Sequence, residues 1–301
     1  MVDQTDRVLS EKSEKLIVLA TKASVFVALV LLIFKSYAWI ETGSMGVLAA
    51  LVDSLLDLGA SLINMFAVRY ALVPADEEHR FGHGKAEALA GLGQAVFIVS
   101  SAVFLIIYTL ERIIFPEQLE SFDIGFGVII FSMILTFFLV AYQRYVVKMT
   151  GSIAVKADSV HYASDLVTNA GILLGLALYY MGWLYSDPVI GLLIGMYILK
   201  CALGIGYESV QLLLDRELPE EEQQLIHKLA TKHPDVIEVH DVRTRQSGQT
   251  KFIQLHLVLD GKLTLLEAHV LSDEVERNIR KEFQYADILI HQDPHTESSN
   301  S

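Results

Sequence analysis

Two stretches decide the fold of this chain: LVDSLLDLGASLINMF at residues 51–66 and VKADSVHYASDLVTNAG at residues 155–171. Both are rich in apolar residues, yet each carries a pair of ionisable side chains. The first has Asp53 and Asp57, and the second has His161 and Asp165. A spacing of four residues places the two side chains of a pair on one helix face, about one turn apart. Such residues need shielding from lipid, which a bundle of helices provides.

The composition is that of a membrane protein. Hydrophobic residues make up 52% of the 301 residues, against about 45–50% in a soluble domain by a count that also includes glycine. A helix needs about 17–25 mostly apolar residues to span a bilayer. We therefore predict a six-helix transmembrane domain over residues 16–213, preceded by an N-terminal arm over residues 1–15. The six spans are predicted near residues 16–34, 44–72, 88–115, 123–147, 152–181 and 188–213.

The charged residues and the cysteine content exclude some classes and predict an orientation. A net charge of −13 does not suit a nucleic-acid partner, which needs a basic surface. The single cysteine, Cys201, offers neither a disulfide framework nor a thiolate metal site. Lysine and arginine are concentrated in the arm, in the second–third and fourth–fifth connections and after the sixth span. Because these residues favour the cytoplasmic side, we predict that both termini are cytoplasmic.

Residues 214–293 are predicted to form a separate domain. Pro219, followed by three glutamates, is typical of a helix start. Two alternating segments, VIEVHDVRTRQ (236–246) and KFIQLHLVL (251–259), predict strands on either side of a turn. A helix over 265–283 and a strand over 287–293 follow, and this order predicts a cytoplasmic ferredoxin-like, metallochaperone-like α+β fold. Residues 294–301 are predicted to be a disordered tail.

The residues inside the spans suit a divalent metal ion. An ionisable side chain at mid-membrane costs about 2.5–3.5 kcal/mol on insertion scales. Three neighbouring carboxylates also repel one another unless they are protonated or bridged by a cation. Three carboxylates and one imidazole match Zn²⁺ better than Mg²⁺ or Ca²⁺, which take more oxygen ligands. We predict a transport site of Asp53, Asp57, His161 and Asp165, with Asp158 lining its entrance or contacting a ligand.

The spacing by itself also allows other roles for these polar residues. Polar side chains can simply hydrogen-bond one membrane helix to another. Buried acids also form proton or sodium pathways. The histidine inside the spans and the further histidines outside them favour a transition metal. An enzyme is disfavoured, since the sequence has neither a phosphate-binding glycine loop nor a nucleophile elbow.

Two further groups of candidate ligands lie outside the spans. The connection PADEEHRFGHGKAEALAG (74–91) contains Asp76, His79 and His83, and its glycines allow it to bend around an ion. Three ligands would leave one position open, as in exchangeable sites; a solvated turn is the alternative. The C-terminal domain carries histidines on its predicted strands and second helix, which could hold one or two zinc ions or simply lie at the surface. These candidates are His240, His256, His269, His291 and Asp293.

Over nearly its whole length the chain resembles the cation diffusion facilitator family, most closely its bacterial zinc and cadmium transporters. The resemblance is carried by the two spaced pairs, by FGHGKAE at residues 81–87, by the six spans and by the appended domain. It implies a homodimer in the lipid bilayer of the bacterial inner membrane. That dimer would export Zn²⁺, and also Cd²⁺ or Fe²⁺, from the cytoplasm in exchange for protons by alternating access.

The resemblance also assigns roles outside the transport site. It implies that Asp76, His79 and His83 form a loop site and that the C-terminal candidates form a binuclear zinc site between cytoplasmic domains. There Zn²⁺ would be structural or regulatory. Lys85 and Asp215 match a charge pair near the dimer contact of the membrane domain. Two rival functions remain: a membrane-anchored metal-sensing receptor and a metal channel.

Overall fold

A computed structural model describes residues 4–42, 45–114, 125–183 and 186–295. The chain divides into two compact units. Residues 12–210 form a helical unit, and residues from 211 onward, together with the start of the chain, form the other.

The helical unit is built from long helices that agree with the predicted segments. They are α1 (Gln4–Thr42), α2 (Met45–Ala71), α3 (Lys85–Ile114), α4 (Gly125–Thr150), α5 (Ile153–Tyr180) and α6 (Ser186–Leu213). The first helix begins at Gln4, so it includes most of the predicted N-terminal arm. The acidic connection before α4, with Glu117, Glu120 and Asp123, lies outside the described residues.

Five of these helices are long and apolar enough to cross a membrane, among the residues that the structure describes: α1, α2, α3, α4 and α6. The exception is α5, which is 28 residues long but carries Lys156, Asp158, His161 and Asp165 in its first half. It packs against α2, α3 and α4. This surrounding of helices shields the polar half of α5 from lipid, as its sequence requires.

Small residues allow α3 and α6 to pack closely. A Cβ atom added to Gly191 of α6 would lie 2.5 Å from Cγ2 of Thr109, and one added to Gly195 would lie 2.7 Å from Cγ1 of Ile106. The two glycines are four residues apart and so occupy one face of α6. Membrane helices commonly use this small-xxx-small spacing to bring their backbones together.

The second unit has the predicted order of elements. It consists of α7 (Glu220–Ala230), β1 (Glu238–Ser247), β2 (Thr250–Asp260), α8 (Leu265–Glu282) and β3 (Ala286–His295). The sheet has the order β1-β2-β3, with β1 antiparallel and β3 parallel to β2. Leu255, Leu257, Val275 and Ile279 form part of its core. A helical membrane-type region followed by an α+β domain is the predicted fold class, which is confirmed.

The ends of the C-terminal elements follow local rules. Gly248 has a φ of 59° in the two-residue turn between β1 and β2, a conformation that favours glycine. Thr264 and Glu267 form a capping box at the start of α8. Strand β3 continues through Pro294 and His295, two residues into the predicted tail. The rest of that tail, residues 296–301, lies outside the described residues.

Candidate metal sites

Three of the four predicted transport-site residues come together between α2 and α5. The ligand atoms of Asp57, His161 and Asp165 all lie within 4.8 Å of one another, and Nε2 of His161 is 3.1 Å from Oδ1 of Asp57. Bonds of about 2.0–2.2 Å in a tetrahedral zinc site would place ligand atoms about 3.3–3.6 Å apart. Small side-chain movements would therefore let these three residues hold one ion.

Asp53 lies apart from this cluster. It is one turn before Asp57 on α2, but its side chain is exposed, whereas Asp57 and His161 are buried. The grouping of three ligand atoms does not include it. The predicted four-ligand site is thus only partly assembled, and the membership of Asp53 stays a prediction.

Aromatic and hydroxyl side chains hold the imidazole of His161 in place. The ring of Phe97, on α3, meets the imidazole edge-on with centroids 5.6 Å apart. The ring of Tyr162 lies 5.3 Å away, and its hydroxyl is 2.8 Å from Oγ of Ser61 on α2. These contacts limit the orientations of the histidine that can meet Asp57.

Asp158, predicted to line the entrance or contact a ligand, is instead part of a buried junction of four helices. Its carboxylate accepts hydrogen bonds from Ser24 of α1 at 2.5 Å, from Gln94 of α3 at 2.9 Å and from Gln143 of α4 at 2.7 Å. It is 1% exposed, so these three donors replace the water that an exposed carboxylate would have. Sequence reasoning missed the three partners, because single polar residues on different helices have no spacing in common.

The loop residues Asp76, His79 and His83 are also brought together. Asp76 accepts hydrogen bonds from the backbone N–H groups of Glu78 and His79. The bond from His79 is the main reason that the pKa of the Asp76 carboxyl is lower than its ordinary value. Nδ1 of His83 is 3.2 Å from the carbonyl oxygen of Val73, while its Nε2 is 3.4 Å from the carboxylate of Asp76. A histidine held through one ring nitrogen presents the other to a metal.

The pairing of the three strands brings the candidate ligands of the C-terminal domain close together. His240, His256 and His291 occupy matched positions on β1, β2 and β3. Asp293 lies between their rings: its Oδ2 is 2.8 Å from His256 and 3.3 Å from His240, and its Oδ1 is 3.3 Å from His291. The hydrogen bond with His256 is the main reason that the pKa of Asp293 is lowered. The ligand atoms of His240, His256 and Asp293 all lie within 4.8 Å of one another, a grouping that does not include His291. Two imidazoles and one carboxylate are a donor set that suits zinc.

His269, the remaining predicted ligand, does not join this group. It is exposed on α8, where its Nε2 is 3.9 Å from the carboxylate of Asp273. Asp241 is a neighbour that sequence reasoning missed. It lies at the irregularity between His240 and Arg243, has a φ of 47°, and its carboxylate is 3.7 Å from Nε2 of His256. A β-bulge re-aims side chains in this way, but no sequence signal predicts one here.

Family models match both parts of the chain. That of the cation efflux transmembrane domain matches residues 21–214, and that of the cation efflux protein cytoplasmic domain matches residues 218–295. The chain belongs to the cation efflux family. The cation diffusion facilitator assignment made from the sequence is therefore confirmed.

Two FieF relatives of this cation efflux protein agree with the assignment. The chain is 51% identical over 280 residues to the cation-efflux pump FieF of Yersinia enterocolitica, with 93% of both chains covered. It is 52% identical over 275 residues to FieF of Yersinia pestis, with 91% of this chain and 92% of the relative covered. Among solved structures, the metal-bound C-terminal domain of the CzcD transporter from Thermotoga maritima is 27% identical. That match covers 26% of this chain and 94% of the other, with a TM-score of 0.24.

The predicted charge pair of this efflux protein joins residues of different units. Lys85 begins α3, whereas Asp215 follows α6, has a φ of 57° and accepts a hydrogen bond from Arg245 at 3.3 Å. The pairing of Lys85 with Asp215 stays a prediction.

Proposed function

We propose that this cation efflux protein exports Zn²⁺ from the cytoplasm in exchange for protons, with Cd²⁺ and Fe²⁺ as further substrates. The observation that carries the proposal is the cluster of Asp57, His161 and Asp165 between two helices of the transmembrane domain. Two carboxylates and an imidazole are a mixed hard and borderline donor set, which suits first-row transition metals and Zn²⁺ in particular.

The same carboxylate and imidazole ligands would also allow the metal to be exchanged for protons. A metal ion binds the deprotonated carboxylate and the neutral imidazole, so protons compete with the ion for each ligand. When the site faces the cytoplasm, the metal displaces the protons. When it faces outward, protons displace the metal and return with the site. Asp53, one turn along α2, would complete the site in one of these two states.

The direction of transport and the assembly follow from the sequence and the family. The excess of lysine and arginine in the arm and in alternate loops favours a cytoplasmic position for both termini. We therefore infer an export pump of the bacterial inner membrane, in agreement with the names of its FieF relatives. The domain over residues 214–293 would join two protomers, and Lys85 and Asp215 would form the charge pair near their contact.

The two sites outside the spans have different proposed uses. His240, His256, His291 and Asp293 would hold structural or regulatory zinc, with His269 joining them when a second ion binds. The loop residues Asp76, His79 and His83 would bind metal more weakly, because two of these three ligands are exposed and the loop supplies no fourth.

Zinc-driven proton release from proteoliposomes tests the transport site. We expect Asp57→Ala to reduce this flux at least about a hundredfold, because the site loses a buried ligand, as substitution of metal-site residues typically does. His233→Ala is the matched control: this histidine of the C-terminal unit pairs with Glu274 and should leave the flux unchanged. Wild-type flux in Asp57→Ala would refute the assignment.

A further inference from the structure

Lys35 places a positive charge beside the transport site. It lies in α1, and its Nζ donates hydrogen bonds across to α2, at 2.6 Å to Oγ of Ser54 and at 3.1 Å to the carbonyl oxygen of Ala50. These bonds use two of the three protons of the ammonium group. Lys35 lies just beyond the first predicted span, residues 16–34, but α1 continues to Thr42, so Lys35 is part of the helix.

The position of this ammonium relative to the ligands follows from the geometry of α2. Ser54 is the residue after Asp53 and lies three residues before Asp57. At a rise of about 1.5 Å per residue, its level on the helix is about 4–5 Å from that of Asp57. The ammonium is therefore bonded to the turn of α2 that carries Asp53 and that leads to Asp57.

A count of charges indicates what the lysine contributes. The carboxylates of Asp53, Asp57 and Asp165 together carry three negative charges, and a divalent ion leaves one of them uncompensated when His161 is neutral. The ammonium of Lys35 supplies the missing positive charge, so the metal-loaded site is neutral. A neutral site is the least costly one to hold inside a membrane domain.

We propose that Lys35 is a fixed positive charge of the transport site that weakens metal binding and speeds metal release. This inference rests on the proposed transport function. An ammonium repels a nearby divalent cation, so it lowers the affinity that three carboxylates and an imidazole would otherwise have. After the ion leaves, the same charge partly neutralises the emptied carboxylates. A carrier needs both properties, because an ion that binds too tightly is released too slowly.

Zinc titration of the full-length protein tests the proposal. The background carries Asp76→Ala and His240→Ala, so that calorimetry reports the transport site without the loop and C-terminal sites. In that background we expect Lys35→Met to bind zinc at least about tenfold more tightly, and Lys35→Arg to bind it as the parent does. Lys22→Met, at an exposed lysine of the same helix, is the matched control and should leave affinity unchanged.

Turnover separates this role from a merely structural one. In proteoliposomes, Lys35→Met should lower both KM and kcat, whereas general damage to the bundle would raise KM or leave it unchanged. Lys35→Arg should restore both constants. Unchanged or weaker zinc affinity in Lys35→Met, in a preparation that elutes like the parent on size exclusion, overturns the proposal. If Lys35→Met aggregates, Lys35→Gln takes its place with the same expected result.

The experiment also distinguishes failure of this inference from failure of the proposed function. If wild-type protein shows a zinc-driven flux that depends on Asp57, while Lys35→Met binds zinc no more tightly, only the role of Lys35 is refuted. If the wild-type flux does not depend on Asp57, the transport site itself is wrong, and the role given to Lys35 is refuted with it.

Discussion

At the proposed transport site, one imidazole lies close to two carboxylates. Nε2 of His161 lies 3.1 Å from Asp57, and Asp165 completes the cluster one turn along α5. An imidazole is a borderline donor that favours Zn²⁺, whereas carboxylate oxygens favour harder ions such as Mn²⁺. The identity of residue 161 should therefore control which metal the site selects.

We predict that His161→Asp weakens zinc binding about tenfold or more relative to Mn²⁺, because it replaces the only nitrogen donor of the predicted site with oxygen. Calorimetric titration with each metal, in the background that lacks the loop and C-terminal sites, measures the ratio. His233→Asp is a suitable control, since that histidine pairs with Glu274 in the other unit. An unchanged ratio of the two affinities would mean that His161 does not bind the metal.

Asp158 should matter for stability rather than for metal affinity. Replacing it with leucine leaves the amide of Gln94 buried without an acceptor, at a cost of about 1–3 kcal/mol for an unsatisfied group. Ser24 and Gln143 also lose their bonds to Asp158, but Ser24 still donates to the carbonyl oxygen of Ala20 and Gln143 to the hydroxyl of Ser24. We expect Asp158→Leu to lower the thermal unfolding temperature in detergent markedly and Asp158→Asn to lower it less. Because Asp158 bonds to three other helices and not to a predicted ligand, the zinc affinity of the folded fraction should fall much less than it does when Asp57 is replaced with alanine.

A result in which Asp158→Asn unfolds like the parent but loses zinc affinity would contradict this assignment. It would return Asp158 to the role predicted from its spacing, next to a metal ligand.

The comparison of these residues shows what a single sequence can predict. The pairs Asp53/Asp57 and His161/Asp165 could be found because both members lie on one helix, where a spacing of four has a fixed geometric meaning. The partners of Asp158 and the bonds of Lys35 could not be found, because they depend on how different helices face one another. Asp53 shows a further limit: spacing on a helix does not tell whether the exposed Asp53 and the buried Asp57 bind the same ion.

Among the larger elements, the C-terminal sheet positions the residues of the second candidate metal site. Parallel and antiparallel pairing bring His240, His256 and His291 to one level of three strands, with Asp293 two residues beyond the last of them. Alternation predicted each strand, but the order β1-β2-β3 and the irregularity at Asp241 were not visible in the pattern. His269 shows that position on a neighbouring helix is not sufficient for a ligand to join the group.

In metal-free protein prepared with a chelator, the stability gained from the interaction of Asp293 with His256 should depend on pH in the acidic range. The pKa of Asp293 is lowered from 3.8 in the folded protein, mainly by its hydrogen bond with His256. The ionised carboxylate of Asp293 therefore contributes its full stabilisation at pH values above 3.8. This stabilisation is lost as the pH falls through the lowered pKa of the folded protein. We predict that the difference in unfolding temperature between the parent and Asp293→Asn is constant above pH about 4 and shrinks below it.

Circular dichroism of the metal-free, full-length protein measures this difference, with Asp287→Asn on the same strand as the control. A difference that grows as the pH falls below 4 would contradict the predicted sign.

At the scale of the whole molecule, the sequence predicted an apolar helical part followed by a more polar α+β part, and the structure contains both. Long apolar segments predicted the helical unit, and alternating segments predicted the strands of the other. The one span whose apolar character is weak, α5, is the span that carries His161 and Asp165. The ionisable residues of α5 make it less apolar and so harder to recognise as a membrane helix from its sequence. The helices that pack against α5 cover its polar face.

The most direct test of metal–proton exchange applies a pH gradient to proteoliposomes while the membrane potential is held at zero. We predict that zinc accumulates against its own gradient in vesicles with an acidic lumen, that it leaves when the pH gradient is reversed, and that Asp57→Ala abolishes both movements. A zinc flux that follows only the zinc gradient, whatever the pH on each side, would contradict exchange and would indicate a channel.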